Sequence, residues 1–175
     1  IPCDHVIVAT EQSAAARLLP ELTSSRTPRS VRCLYFSTPE PPIEDRILVL
    51  NGTGGGVVNN LCVPSQVATT YAPSGQSLVS ATVLKSELED EALLASVTAQ
   101  MHEWFGALVD EWRHLRTYSI SDALPNQTTP AFDPATQLSK LRDNILVCGD
   151  YRTNGSINGA MQSGRLVAEE ILKSG

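Results

Sequence analysis

The sequence predicts an α/β domain divided in two along the chain, with an α+β domain of antiparallel strands inserted between the halves. Three observations carry this. A β-branched apolar run stands near the start, His5-Val6-Ile7-Val8-Ala9-Thr10, and has the look of a buried parallel strand. A second apolar run, Ile145-Leu146-Val147-Cys148, leads through Gly149-Asp150 and a polar turn into a helix that opens on small residues. Between them lie four consecutive strand-like runs, separated by Gly, Pro and Asn, which favours antiparallel pairing. The division assigns residues 1–28 and 138–175 to the α/β part and 29–137 to the insertion.

After the first strand, Ala15, Leu18, Leu19 and Leu22 share one face. They predict a short helix interrupted at Pro20. Strands are expected at 30–37, 46–50, 57–63 and 76–84. The cluster Gly52-Thr53-Gly54-Gly55-Gly56 fails the G-x-G-x-x-G spacing and leads into β-type sequence. It reads as a hairpin or loop, not a phosphate cradle. Ser86-Glu87-Leu88-Glu89 has capping-box spacing, and the helix after it is expected to run to about Trp112. Leu93, Leu94, Val97, Met101, Trp104, Phe105, Leu108 and Trp112 give that helix an apolar stripe. Its default role is core, and its alternative is a wall of an apolar cavity. Residues 117–137, with Pro125, Pro130 and Pro134, read as loop, and the last helix as about Ser156 to Leu172.

Composition is ordinary for a globular chain of 175 residues: 42% hydrophobic, 18% charged, net charge −6. With no basic block or stripe, nucleic acid and anionic membrane surfaces are excluded as partners. No apolar run approaches the roughly 18–20 residues of a membrane span. Cys3, Cys33, Cys62 and Cys148 lie far apart without a Cys-x-x-Cys pair. They read as buried thiols of a reducing, intracellular compartment, and cytoplasm and plastid fit equally. His5, His102 and His114 show no ligand spacing, so no metal site is expected. Three Asn-x-Ser/Thr triplets, at Asn51, Asn126 and Asn154, carry weight only in a secreted protein.

The chemistry concentrates in the last thirty residues: Gly149-Asp150-Tyr151-Arg152-Thr153-Asn154-Gly155-Ser156-Ile157-Asn158-Gly159-Ala160-Met161. A strand, a Gly-Asp turn and a helix start with small residues let backbone approach a flat, anionic ligand where unpaired N–H groups point outward. The bland alternative is a strand–turn–helix whose small residues serve packing alone. The stretch resembles the C-terminal flavin-binding motif of the FAD-dependent amine oxidase and phytoene desaturase superfamily. The order of elements matches over essentially the whole chain.

That resemblance implies FAD as cofactor. Gly149 and Asp150 would face its ribityl or pyrophosphate part, and Ile157, Asn158, Gly159, Ala160 and Met161 would lie against the flavin ring. Backbone near 159–161 would donate to the pyrimidine carbonyl, where reduced flavin carries negative charge. It also implies a Rossmann-like FAD-binding portion at 1–28 and 138–175, and a substrate domain at 29–137. The implied reaction is hydride transfer from a C–H or C–N bond of a small organic substrate to flavin N5. A flavin-dependent isomerase of the carotenoid-isomerase type and a non-catalytic interaction module are the alternatives.

The sequence departs from the pattern in three ways. The dinucleotide fingerprint G-x-G-x-x-G is missing, so the adenine and ribose subsite is expected from a segment upstream of Ile1. The chain is then the C-terminal part of a larger two-domain flavoprotein, inactive alone. Arg32 stands nearest to the lysine that amine oxidases often place near the flavin, and it is a poor mimic. Ile157 and Asn158 replace the aromatic and acidic residues often found before Gly-Ala, which suits an uncharged substrate. No general base stands out.

Overall fold

A computed structural model describes residues 2–22, 27–84, 86–128, 140–142 and 144–174. The chain forms two compact units, one of residues 1–29 with 122–175 and one of residues 30–121.

In the first unit, strand β1 (Val6–Val8) pairs in parallel with β8 (Ile145–Val147), and β7 (Lys140–Arg142) pairs antiparallel on the other side of β8. The central strand is apolar throughout because it is buried on both faces. Val147 points toward helix α1 (Gln12–Leu18) and joins Val8, Ala15, Leu19 and Tyr151. Leu146 and Cys148 point the other way and meet Val167 and Ile171 of helix α4 (Ile157–Ser174). Alternation along one strand thus fixes a helix on each side. The first strand is parallel, as its composition suggests, but it is not buried. Val6 and Ile7 are 43% and 48% exposed, because β1 ends the order β1-β8-β7 and only Val8 reaches the core.

The second unit is a five-stranded sheet in the order β3-β4-β5-β2-β6. Its strands are β2 (Arg29–Thr38), β3 (Val49–Leu50), β4 (Val58–Cys62), β5 (Ser77–Leu84) and β6 (Arg113–Leu124). The pairs β3–β4, β4–β5 and β2–β5 are antiparallel. A short helix α2 (Pro64–Val67) follows β4, and helix α3 (Asp90–Phe105) covers one face of the sheet. Every second residue of β2 and β5, including Leu34, Phe36, Val79, Ala81 and Val83, meets Leu93, Val97 and Met101 of α3. The last three stand four apart, one above another on the helix.

Three local expectations are corrected. The helix begins at Asp90, not after Ser86; the Ser86 hydroxyl accepts from the Leu88 N–H instead, and no side chain caps the helix. From β2, Arg32 donates to the Leu88 carbonyl at 2.6 Å just before the helix and pairs with Asp90 of its first turn. The helix ends at Phe105 with Gly106 at φ 61, and a 3-10 turn continues to Glu111. Part of the expected loop at 117–137 belongs to β6. Of the four thiols only Cys148 is buried; Cys33 and Cys62 are half-buried and Cys3 is exposed, all unlinked.

The glycine cluster is a loop pinned to α3. Buried Gln100 accepts from the Val57 and Val58 N–H groups at 2.7 and 2.8 Å and donates to the Gly55 carbonyl at 3.1 Å. Gly56 sits at φ 74, with its missing β-carbon replaced by the Gln100 amide itself. Gln100→Ala leaves two N–H groups without acceptors, at a cost of about 3 kcal/mol. Urea unfolding is expected to show a lower midpoint with an unchanged slope.

Candidate cofactor-binding site

The turn between β8 and α4 is built by short-range hydrogen bonds that leave little freedom. Cys148 continues the pairing with β1, its N–H donating to the Val8 carbonyl at 3.0 Å. The Gly149 N–H then donates to the buried Ser163 hydroxyl at 3.1 Å, tying the strand end to the second turn of α4. A β-carbon at Gly149 would overlap the Tyr151 ring, so glycine is required there by packing. Asp150–Arg152 forms a single 3-10 turn that packs against α4.

Gln127 holds the next stretch. Its amide nitrogen lies 3.4 Å from the carbonyls of Asp150 and Thr153, and its oxygen accepts from the Gly155 N–H at 2.7 Å. Ser156 closes the turn, bonding the Asn154 side chain and accepting from the Gly159 N–H at 3.0 Å. The Ser156 carbonyl accepts from the Ala160 N–H at 2.9 Å, and the Thr153 hydroxyl donates to the Gly159 carbonyl at 2.7 Å.

Gly159 is buried against this turn. A β-carbon there would overlap the Asn154 backbone oxygen and stand 2.9 Å from the Thr153 hydroxyl. The glycine is therefore demanded by the protein's own chain. Gly159 and Ala160 also spend their N–H groups on Ser156, and Met161 lies within the helical ladder. The open donors stand earlier: the N–H groups of Ile157 and Asn158 have no acceptor among the described residues. Those are the first two of an 18-residue helix, where the positive end of the dipole lies.

Around them the surface is apolar. Ile157 is 81% exposed and Met161 69%, one helical turn apart on the same side. Asn158 and Ala160 are exposed beside them, while Asp150 is half-buried at the other end of the turn. Two outward N–H groups flanked by two apolar side chains fit a flat conjugated ring with an electron-rich edge. The sequence-predicted residues thus form one continuous strand–turn–helix. Gln127 and Ser156 fall within the Asn126 and Asn154 triplets, but no motif assigned them, or Ser163, a role in shaping the turn.

A match to the family model for flavin containing amine oxidoreductases runs over residues 1–172. The chain belongs to that family. Comparison with curated proteins gives no match. Solved structures share the fold at low identity. An oxidoreductase from Methanosarcina mazei matches at 17% identity with a TM-score of 0.71, over 97% of this chain and 43% of its own. A protein from Pyrococcus furiosus matches at 15% and 0.68, over 97% and 41%. Reduced UDP-galactopyranose mutase matches at 14% and 0.73, over 100% and 42%. The chain therefore spans less than half the length of the proteins it resembles.

In the family context the second unit also offers a surface. The sheet face opposite α3 carries Cys33, Tyr35, Leu78, Leu115, Tyr118 and Ile120 around a groove of about 470 Å³. Tyr35 and Tyr118 meet edge to face with centroids 5.8 Å apart. Arg32 does not line this groove; it is committed to α3.

Tyr151 supplies a test of the turn. It is 5% exposed, its hydroxyl has no partner among the described residues, and burial pushes its pKa up to about 12. The raised value means stability is fully present below the unfolded value of 10.0 and is lost as pH rises toward 12. Tyr151→Phe is expected to keep or raise stability at neutral pH, since it removes an unpaired buried hydroxyl. It is also expected to flatten the alkaline decline, as read from unfolding midpoints across pH 8–12.

Proposed function

We propose that this chain is the C-terminal part of an FAD-dependent oxidoreductase that removes hydride from a C–H or C–N bond of a small organic substrate. The observation that carries the proposal is the start of α4, with two acceptor-free N–H groups beside exposed Ile157 and Met161. Family membership over residues 1–172 supports a flavin as the group placed there.

FAD, when bound, supplies the hydride acceptor at flavin N5. The protein's share is binding and electrostatics. Ile157 and Met161 would hold the ring by their apolar surfaces and exclude water from it. The Ile157 and Asn158 N–H groups would stabilise negative charge on the bound flavin, which would favour its reduced form. Asp150 would hold the ribityl part, and the turn held by Gln127 fixes the distance of Asp150 from the helix. The phosphate and adenine end needs the G-x-G-x-x-G segment that residues 1–175 lack. We assign that part to sequence outside this chain. The open face of the five-stranded sheet forms the substrate wall, with residues 29–137 as the substrate-binding part.

The first measurement is an absorption spectrum of protein made from the complete reading frame, beside one of residues 1–175 alone. A yellow full-length protein that releases FAD on denaturation, with a colourless short form, is the expected result. Ile157→Asp is expected to weaken FAD binding at least tenfold, about 1.4 kcal/mol for a carboxylate set where negative charge must sit. Ile157→Val is expected to leave it unchanged. A colourless full-length protein that takes up no added FAD would overturn the proposal.

A further inference from the structure

The groove on the open sheet face combines an apolar floor with one cation. Leu78, Leu115 and Ile120 line it, with the Tyr35–Tyr118 pair as a rigid aromatic wall. Leu115, Tyr118 and Ile120 are exposed, so this apolar surface lies uncovered among the described residues. At about 470 Å³ it has the size of a small-molecule site. It joins a second hollow of about 510 Å³ through Leu78 and Leu115, where Arg113 and Glu111 stand.

Among the described residues, Arg116 is the only charged one lining the first groove. Its guanidinium carbon stands 4.9 Å from the Tyr118 ring centroid, and it makes no ion pair among the described residues. A cation held by an aromatic ring loses little further freedom on binding an anion. No acidic side chain among the described residues lines the same groove, although the chain as a whole carries 19 acidic residues against 13 basic ones. Local charge is therefore the reverse of the global charge.

We infer that the groove takes a small organic acid: an apolar, preferably aromatic body against Leu78, Leu115 and the tyrosine pair, and a single carboxylate on Arg116. The size and the charge decide the class. One guanidinium balances one negative charge and matches a carboxylate with two parallel hydrogen bonds. A cationic amine would meet Arg116 with like charge, so the groove selects against it. The inference rests on the proposal that this face is the substrate wall, and it assigns an anion where Ile157 and Asn158 alone suggested an uncharged substrate.

Isothermal titration of the chain, free of flavin, with three probes tests it: 3-phenylpropionate, 3-phenylpropanamide and 3-phenylpropylamine. The carboxylate is expected to bind at least tenfold tighter than the amide, and the amine not detectably. Arg116→Gln is expected to reduce the carboxylate to the level of the amide, while Arg116→Lys retains part of the preference. Tyr118→Leu is expected to weaken all apolar probes without changing their order. Unfolding midpoints of the variants separate lost binding from lost folding, since Arg116 is exposed and its replacement costs little stability. Equal binding of acid and amide, or an unchanged preference in Arg116→Gln, would overturn the inference. Because no flavin enters the titration, a negative result leaves the FAD proposal standing. A colourless full-length protein that still binds the acid would fail that proposal alone.

Discussion

The close approach of Gly159 to the Asn154 carbonyl governs how the chain turns from β8 into α4. Any side chain at 159 would force the turn open and detach Ser156, whose hydroxyl and carbonyl satisfy two successive N–H groups. With those two bonds made, the remaining donors at Ile157 and Asn158 face outward. The open end of α4 is thus a by-product of how fully the rest of the turn satisfies itself. A looser turn would let Gly159 and Ala160 compete for a ligand and would blur the position of charge stabilisation.

The same economy runs through the first unit. Strand β8 has only three residues, yet its alternation holds α1 on one face and α4 on the other. Ser163 links the strand end to α4 through the Gly149 N–H. Tyr151 fills the space that Gly149 leaves, at the cost of a buried hydroxyl without a partner. Each of these positions is constrained by backbone groups that must find partners once water is gone.

Much of this was legible in the sequence, for reasons that differ between elements. The strands of the second unit announced themselves as β-branched apolar runs between turn residues, and in β5 Val79, Ala81 and Val83 recur at every second position on the buried face. Strand β8 was legible because burial on both faces demands a continuous apolar run. Strand β6 was not: Arg113, His114, Arg116, Ser119, Ser121 and Asp122 break the alternation, and most of its residues are exposed. Gln127 was hidden in a proline-bearing stretch that read as loop, since a buttressing amide has no periodicity. The helix N-terminal signature at Ser86 misled because its hydroxyl accepts from the Leu88 N–H in a local turn, and the helix begins only at Asp90.

The charges and apolar surfaces of the two units differ from what an amine-binding site would need. A lysine near a flavin acts through a mobile ammonium that holds water. Arg32 is fixed to the Leu88 carbonyl and Asp90, so its charge is spent on the start of α3. Ile157 offers only apolar surface, with no aromatic ring to hold a cation. Arg116 places a positive charge in the groove on the open sheet face. An amine would find neither cage nor counter-charge at these positions. An acid with an apolar body would find both the surface and the cation it needs, and the chemistry of hydride removal would then rest on the flavin, with the chain supplying orientation and charge.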